Sequence, residues 1–282
     1  MKTSISYLAG GMLGDFIYSL SVINEKYLET GKKGILYISE KGDTFRFGLE
    51  NTYNDTYNII KSQEYIEDYL IYNHVNIDID LTIWRENKEV NYKNWYIKFS
   101  ETYQVSWGKH RWISVNGKSV NGKSVNGKSV NGKSVNGKSV NGKSVNGKSV
   151  NGKSVKEINL TNKVLINTTN YRWPCHLDFQ KVFELYQNDL VFIGSDKNQF
   201  NIFKEKTGIH IEYYKPDNFY DLCIAINSCK LFIGSQSALL HIAFALHKQV
   251  IMCQCVEEFS LDHGHYLIQG LSNEFSNVGY NL

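Results

Sequence analysis

The sequence predicts an α/β protein made of two doubly wound units with a low-complexity insert between them. Three observations lead there. The chain opens with a strand, a glycine turn, a helix and a second strand. After residue 160 it alternates short apolar strands with helices. Between the two lie eight identical SVNGK pentapeptides, from Ser114 to Lys153.

Each element follows from its own stretch of sequence. Ser4 to Leu8 is β-prone and leads into the turn Gly10-Gly11-Met12-Leu13-Gly14. From Asp15 to Thr30, apolar residues at Phe16, Ile17, Leu20, Ile23, Tyr27 and Leu28 have helical spacing, and Gly31 ends the run. Gly34 to Ser39 is the next buried strand. This β-loop-α-β unit implies a parallel pair joined by a right-handed crossover. Asn51 to Leu70 reads as a helix and Val75 to Leu81 as a strand. Beyond the insert, strands are expected at 163–167, 189–194, 209–213, 230–234 and 249–253. Helices are expected at 176–186, 197–207, 219–228 and 238–246. The division expected is residues 1–113, an insert at 114–155, and residues 156–282.

The insert distorts the bulk composition. The 282 residues carry 31 Lys and Arg against 28 Asp and Glu, a formal charge of +3. Eight of the lysines belong to the repeat, and without them 23 basic residues face 28 acidic ones. A nucleic-acid partner inferred from the positive charge would rest on the repeat alone, so none is expected. One valine per pentapeptide, beside a turn-favouring Asn-Gly, cannot offset a backbone entropy of roughly 1–2 kcal/mol per residue. A flexible linker is therefore expected in preference to a stacked coil.

Outside the insert the chain is rich in Tyr, Phe, Ile and Leu and can bury a core. It has no apolar run long enough for a transmembrane segment, and the N-terminus is too short and glycine-rich for a secretory signal. Five cysteines, Cys175, Cys223, Cys229, Cys253 and Cys255, have neither zinc-like spacing nor an even count for a disulfide framework. A reducing, cytoplasmic setting is expected, with peripheral attachment to a membrane left open.

Three stretches can carry chemistry. In the first turn, Gly11 and Gly14 let a ligand approach the helix start, and Asp15 is either a simple helix-start carboxylate or a general base facing a cleft. The second is Gly234-Ser235-Gln236-Ser237-Ala238-Leu239-Leu240-His241, again between a strand and a helix. Small hydroxyl residues and free N–H groups there suit a diphosphate, ordinary capping by Ser235 or Ser237 is the plainer alternative, and His241 is more often a packing group. The third is Asn167-Thr168-Thr169-Asn170-Tyr171-Arg172-Trp173, with two hydroxyls and a guanidinium at the carboxyl end of a strand suited to phosphate; a solvated surface loop is the competing reading. Cys253, Cys255, His263 and His265 suggest a metal only weakly, since core thiols fit a buried strand better. Asp78 and Asp80 share a strand face, where solvent exposure is the simpler account.

Taken in order, these pieces resemble the family 9 glycosyltransferases, the lipopolysaccharide heptosyltransferase-like group. Leu13-Gly14-Asp15-Phe16-Ile17-Tyr18-Ser19-Leu20-Ser21 resembles the family's N-terminal motif, with Ser21 where proline is usual. Gly234 to Leu246 resembles its C-terminal motif, with Gln236 in place of an acid and Ala238 in place of a glycine. Thr168-Thr169 with Arg172-Trp173-Pro174 resembles a shortened form of a third family loop, Arg172 standing for lysine.

The resemblance implies a GT-B architecture, two Rossmann-like domains facing across a cleft. It also implies an inverting transfer from a nucleotide-sugar to a hydroxyl-bearing glycan or lipid, without a metal or a separate cofactor. Asp15 then takes the place of the base, with Gly11 and Gly14 on the acceptor side. Thr168, Thr169, Arg172, Gly234, Ser235, Gln236, Ser237 and His241 hold the donor. Two rivals remain: an NAD-dependent oxidoreductase using Gly10, Gly11, Gly14 and Glu40, and a non-catalytic nucleotide- or sugar-binding module, which Gln236 and Ala238 would favour.

Overall fold

A computed structural model describes residues 3–86, 95–115, 159–170, 173, 177–235 and 237–253. The pentapeptides beyond residue 115, together with Arg172, Gln236, Cys175, Cys255, His263 and His265, lie outside the described residues.

Two parallel sheets organise the chain. The first is built from β1 (Ser4–Gly10), β2 (Lys33–Ser39), β3 (Ile66–Ile71) and β4 (Ile79–Asp80), in the order β3-β2-β1-β4. The second is built from β5 (Val164–Asn167), β6 (Leu190–Ile193), β7 (Glu212–Tyr214), β8 (Leu231–Ser235) and β9 (Val250–Cys253), in the order β7-β6-β5-β8-β9. Both sheets thus repeat one winding pattern, in which the first strand sits inside and the chain reverses direction beside it. The register runs from Ser4 opposite Lys33 to Gly10 opposite Ser39, and from Val164 opposite Leu231 to Asn167 opposite Gly234.

The helices are α1 (Leu13–Thr30), α2 (Leu49–Lys61), α3 (Trp95–Tyr103), α4 (Phe179–Tyr186), α5 (Lys197–Thr207), α6 (Phe219–Ser228) and α7 (Ala238–Ala245). None of the described helices is long and apolar enough to cross a membrane. One continuous apolar core runs between the sheets. It joins Tyr7, Phe16, Leu20 and Leu36 from the first half to Leu165, Ile224, Ala243 and Phe244 from the second. A smaller core around Val164, Phe179, Phe192 and Phe203 covers the other face of the second sheet. Cys223 and Cys229 are buried free thiols.

Four expectations need correction. The helix expected over Asn51 to Leu70 stops at Lys61, and Ile66–Ile71 is a strand paired with β2. The apolar positions Ile59, Ile60, Tyr65, Ile66, Tyr69 and Leu70 keep a near-helical spacing, so periodicity alone did not separate them; pairing with β2 decides. The strand expected over Val75 to Leu81 shrinks to Ile79–Asp80. Just before it, the Asp78 carboxylate takes the Ser6 N–H at 2.8 Å and so occupies a donor that a longer ladder would use. The helix expected from His176 begins at Phe179, where Asp178 caps it. The strand expected at 209–213 is the shorter Glu212–Tyr214.

Three described elements had no sequence expectation: α3, the 3-10 turn Ile83–Arg85 after β4, and the 3-10 turn Gln187–Asp189 before β6. The segment after α3 ties the halves together. The Trp107 and Trp112 indole N–H groups donate to the carbonyls of Tyr18 and Ile17 at 3.0 and 2.9 Å. The Trp112 and Ile113 backbone N–H groups both donate to the Ala245 carbonyl at the end of α7. Ser21 contributes to the same tie: it is buried in α1, and its hydroxyl accepts the Gly108 N–H at 2.8 Å.

Candidate active site

In a parallel sheet wound in both directions, the crevice opens where the winding reverses, at the carboxyl ends of the two diverging strands. In the first sheet those strands are β1 and β4, and in the second they are β5 and β8. The sequence motifs fall at these two places. Asp15 follows β1. Thr168 and Thr169 follow β5, while Ser235 ends β8 and Ser237 opens α7.

The two crevices meet through α1 and α7. Gly14 lies against His241 so closely that a Cβ added at Gly14 would stand 2.1 Å from the imidazole Nδ1. The same imidazole stacks on Tyr18, one turn further along α1, with ring centroids 4.2 Å apart. Buried in this seam, His241 joins the first turn of α7 to the first turn of α1. Asp15 is the next residue after Gly14, in the same first turn of α1 that meets α7.

Asp15 has a partner that no motif marked. Arg85, at the end of the 3-10 turn, places Nη2 2.6 Å from Asp15 Oδ2, and each side chain keeps only about a fifth of its surface exposed. Burial raises the Asp15 carboxyl above its ordinary value; Arg85 opposes that by charge and hydrogen bond, Asp43 adds to it, and Lys98 opposes it. Lys98 is buried between the rings of Trp84 and Trp95, its ammonium 5.4 and 4.9 Å from their centroids. Its desolvation lowers its own pKa. A raised carboxyl pKa makes the carboxylate a stronger base.

The described residues of the second crevice are small and uncharged: Asn167, Thr168, Thr169, Ser235 and Ser237. Ser237 stands at the N-cap of α7, yet its side chain makes no cap hydrogen bond and its hydroxyl turns instead to Asn167 Oδ1 at 3.3 Å. The Ser235 hydroxyl, fully buried, accepts a long contact of 3.4 Å from the Thr169 N–H, so the loops after β5 and β8 are stitched together. Asn167 is held in turn by donating to the Ile193 carbonyl. The hydroxyls of Thr168 and Thr169 are enclosed without a hydrogen-bond partner among the described residues, although Thr168 is only 1% exposed. A buried hydroxyl left unmatched costs about 1–3 kcal/mol, so two of them side by side need a reason. Gly234 has a packing reason, since a Cβ there would press on the Phe232 ring.

Helix capping differs between these places and the outer helices of the second half, while α2 starts at Gly48, which has no side chain to cap with. Asp178, Asp196 and Asn218 cap α4, α5 and α6 with their own side chains. The N-cap residues of α1 and α7, Met12 and Ser237, supply no such bond. The helix starts at both crevices therefore keep donor groups and positive dipole ends free of their N-cap side chains.

The geometry also bears on the dinucleotide alternative. A Cβ on Gly11 would lie 2.0 Å from Arg85 Nη2, so the space this glycine opens is filled by a guanidinium. A pyrophosphate lying on that turn would have to displace it.

No protein-family model and no curated protein matches the sequence. Solved structures do. A glycosyl transferase family 9 structure from Veillonella parvula DSM 2008 is 10% identical, with 89% of this chain and 81% of that one covered and a TM-score of 0.51. The E. coli ADP-heptose LPS heptosyltransferase II is 10% identical, with 88% and 84% covered and a TM-score of 0.44. E. coli heptosyltransferase WaaC with ADP-2-deoxy-2-fluoro heptose is 10% identical, with 88% of each chain covered and a TM-score of 0.42. At such identity the likeness is one of fold: this chain folds like the family 9 glycosyl transferase over most of both lengths.

Proposed function

We propose that the protein is a glycosyltransferase of GT-B architecture that moves a sugar from a nucleotide-sugar to a hydroxyl acceptor, with inversion and without a metal ion. Residues 1–113 form the acceptor side and residues 156–282 the donor side, each a Rossmann-like unit. One observation carries this reading: the first turns of α1 and α7 touch, each at the crevice of its own sheet, one bearing a carboxylate and the other bordering unmatched hydroxyls.

The chemistry follows from that division. Asp15 accepts the proton of the acceptor hydroxyl as its oxygen bonds to the anomeric carbon. The bond from that carbon to the diphosphate breaks, and the electron pair leaves with the nucleoside diphosphate. The growing negative charge falls at the open start of α7, where backbone N–H groups and the hydroxyls of Thr168, Thr169 and Ser237 can receive it. Arg172 and Gln236 complete this side in the proposal.

The test has two arms. Nucleoside diphosphates and their sugars are screened for a rise in melting temperature, since a ligand that binds only the folded state stabilises it. With the donor found, Asp15→Asn is expected to lower transfer by about 10²–10⁴ while leaving nucleotide binding intact. Undiminished transfer in that variant sinks the assignment of the base. Stabilisation by NAD and by no nucleoside diphosphate returns the dinucleotide reading.

A further inference from the structure

The side chain that meets Asp15 is seated by glycines from two separate strand ends. Gly11 follows β1 and Gly42 follows β2, and both have φ near +95°, a conformation that side-chain-bearing residues rarely adopt. A Cβ on Gly11 would stand 2.0 Å from Arg85 Nη2, and one on Gly42 would stand 3.2 Å from both Cδ and Nη1. The remaining wall is the Trp84 ring, whose centroid is 4.3 Å from the guanidinium carbon. The slot is braced across its mouth. Lys41, next to Gly42, pairs with Asp80 at the end of β4, and Asp80 also accepts the N–H and hydroxyl of Thr82. Adjacent strand ends in the order β2-β1-β4 thus supply floor, floor and occupant.

An incidental ion pair needs none of this. A partly exposed pair by itself contributes little to stability and does not call for two glycines at positive φ and a stacked indole around one guanidinium. The geometry is instead that of a carboxylate held in one orientation. Nη2 engages Oδ2, and among the described residues no donor meets Oδ1, which leaves that oxygen for an incoming proton.

We infer that Arg85 is the positioning residue for the Asp15 carboxylate, and that Gly42, together with Gly11, exists to seat it. The inference rests on the transferase reading for its purpose, but its physical content is independent of catalysis. Arg85 does two things. It fixes the direction in which Asp15 presents its free oxygen, and its charge and hydrogen bond oppose the desolvation that raises the carboxyl pKa. The other charged or titratable groups around the carboxylate are Asp43, Lys98, the Tyr18 phenol on α1 and the His241 imidazole on α7. None of these stacks in the slot, so none replaces Arg85 when it is removed.

The experiment titrates Asp15 by carbon NMR in the full, unliganded chain labelled at aspartate carboxyls, with Asp15→Asn assigning the signal. In Arg85→Met the midpoint is expected to rise by about 1 unit or more, the usual effect of losing an opposite charge at contact distance. Arg85→Lys keeps the charge without the stacked fork, and Gly42→Ala keeps the arginine without its seat; both are expected to fall between wild type and Arg85→Met. Once a donor is known, the acid limb of the kcat/KM profile should move by the same amount in each variant, with nucleotide affinity unchanged. If Arg85→Met does not fold, the Lys and Gly42→Ala variants carry the same readout. An Asp15 midpoint that stays at the wild-type value in the folded Arg85 variants overturns the positioning role. A wild-type midpoint and profile in Gly42→Ala overturn the seat. Failure to find any sugar transfer defeats the transferase reading while leaving the titration to stand on its own.

Discussion

The turn that opens α1 and the turn that opens α7 both lie where the winding of their sheet reverses, α1 after the first of the two diverging strands and α7 after the second, and they are finished in opposite ways. The first is charged and paired: Asp15 already has Arg85. The second, in its described residues, is uncharged and unmatched: hydroxyls of Thr168 and Thr169 are enclosed with no partner among the described residues, and Ser237 bonds sideways to Asn167. A paired, desolvated carboxylate is equipped to exchange a proton. A nest of small hydroxyls at an uncapped helix start is equipped to receive an anion that arrives with its own charge. One fold pattern thus supports two chemical roles, and the side chains following the strand ends assign them.

The contact between the turns is the place to break this comparison hardest. Gly14→Ala would drive a methyl group into His241, whose ring is confined by Tyr18. Overpacking of this kind costs about 1–3 kcal/mol, which denaturant unfolding would read directly. If the clash is the cause, His241→Ala in the same chain should return part of the loss, and the pair should be non-additive. Additive losses would mean that the turns are not held together by this contact.

A smaller effect sharpens the neutral side. Thr168→Val keeps the shape of the side chain while removing a hydroxyl that no described residue meets. Stability should hold or rise, because the unmatched group is gone. Affinity for a nucleoside diphosphate should fall up to about tenfold, the worth of one hydrogen bond. A drop in stability with unchanged affinity would make Thr168 an ordinary core residue.

The sequence revealed the two turns because each strand, turn and helix is local: Gly14-Asp15 and Ser235 to His241 announce themselves within one short stretch. Arg85 was invisible for the opposite reason. Its neighbours Trp84 and Glu86 follow no period, and its role exists only where three strand ends come together in space. The aromatic segment from Trp95 to Trp112 was equally silent. Its indoles act by reaching carbonyls of α1, a long-range bond that neither spacing nor propensity encodes. His241 fell between these cases: the motif located it and the plainer packing reading described its surroundings, but its partner, Gly14, lies in the other half of the chain.

The seam far from the crevices should respond to pH in the opposite sense from Asp15. The Asp15 carboxyl is raised in the folded chain above its ordinary 3.8, so the folded state binds more protons in that window and stability falls as pH rises through it. His247, just past α7, is lowered from 6.5 by desolvation and then by Arg111. Here the unfolded chain binds more protons, so the contribution is present above pH 6.5 and is lost as pH falls below it. The effect is small because the ring is exposed on one side and water screens Arg111, although Trp112 covers it edge-on at 5.8 Å. Unfolding free energies of the wild type and His247→Gln, measured from neutrality downward, should therefore separate below pH 6.5, with the variant losing less. Parallel curves would show that protonation of this histidine does not act on the seam.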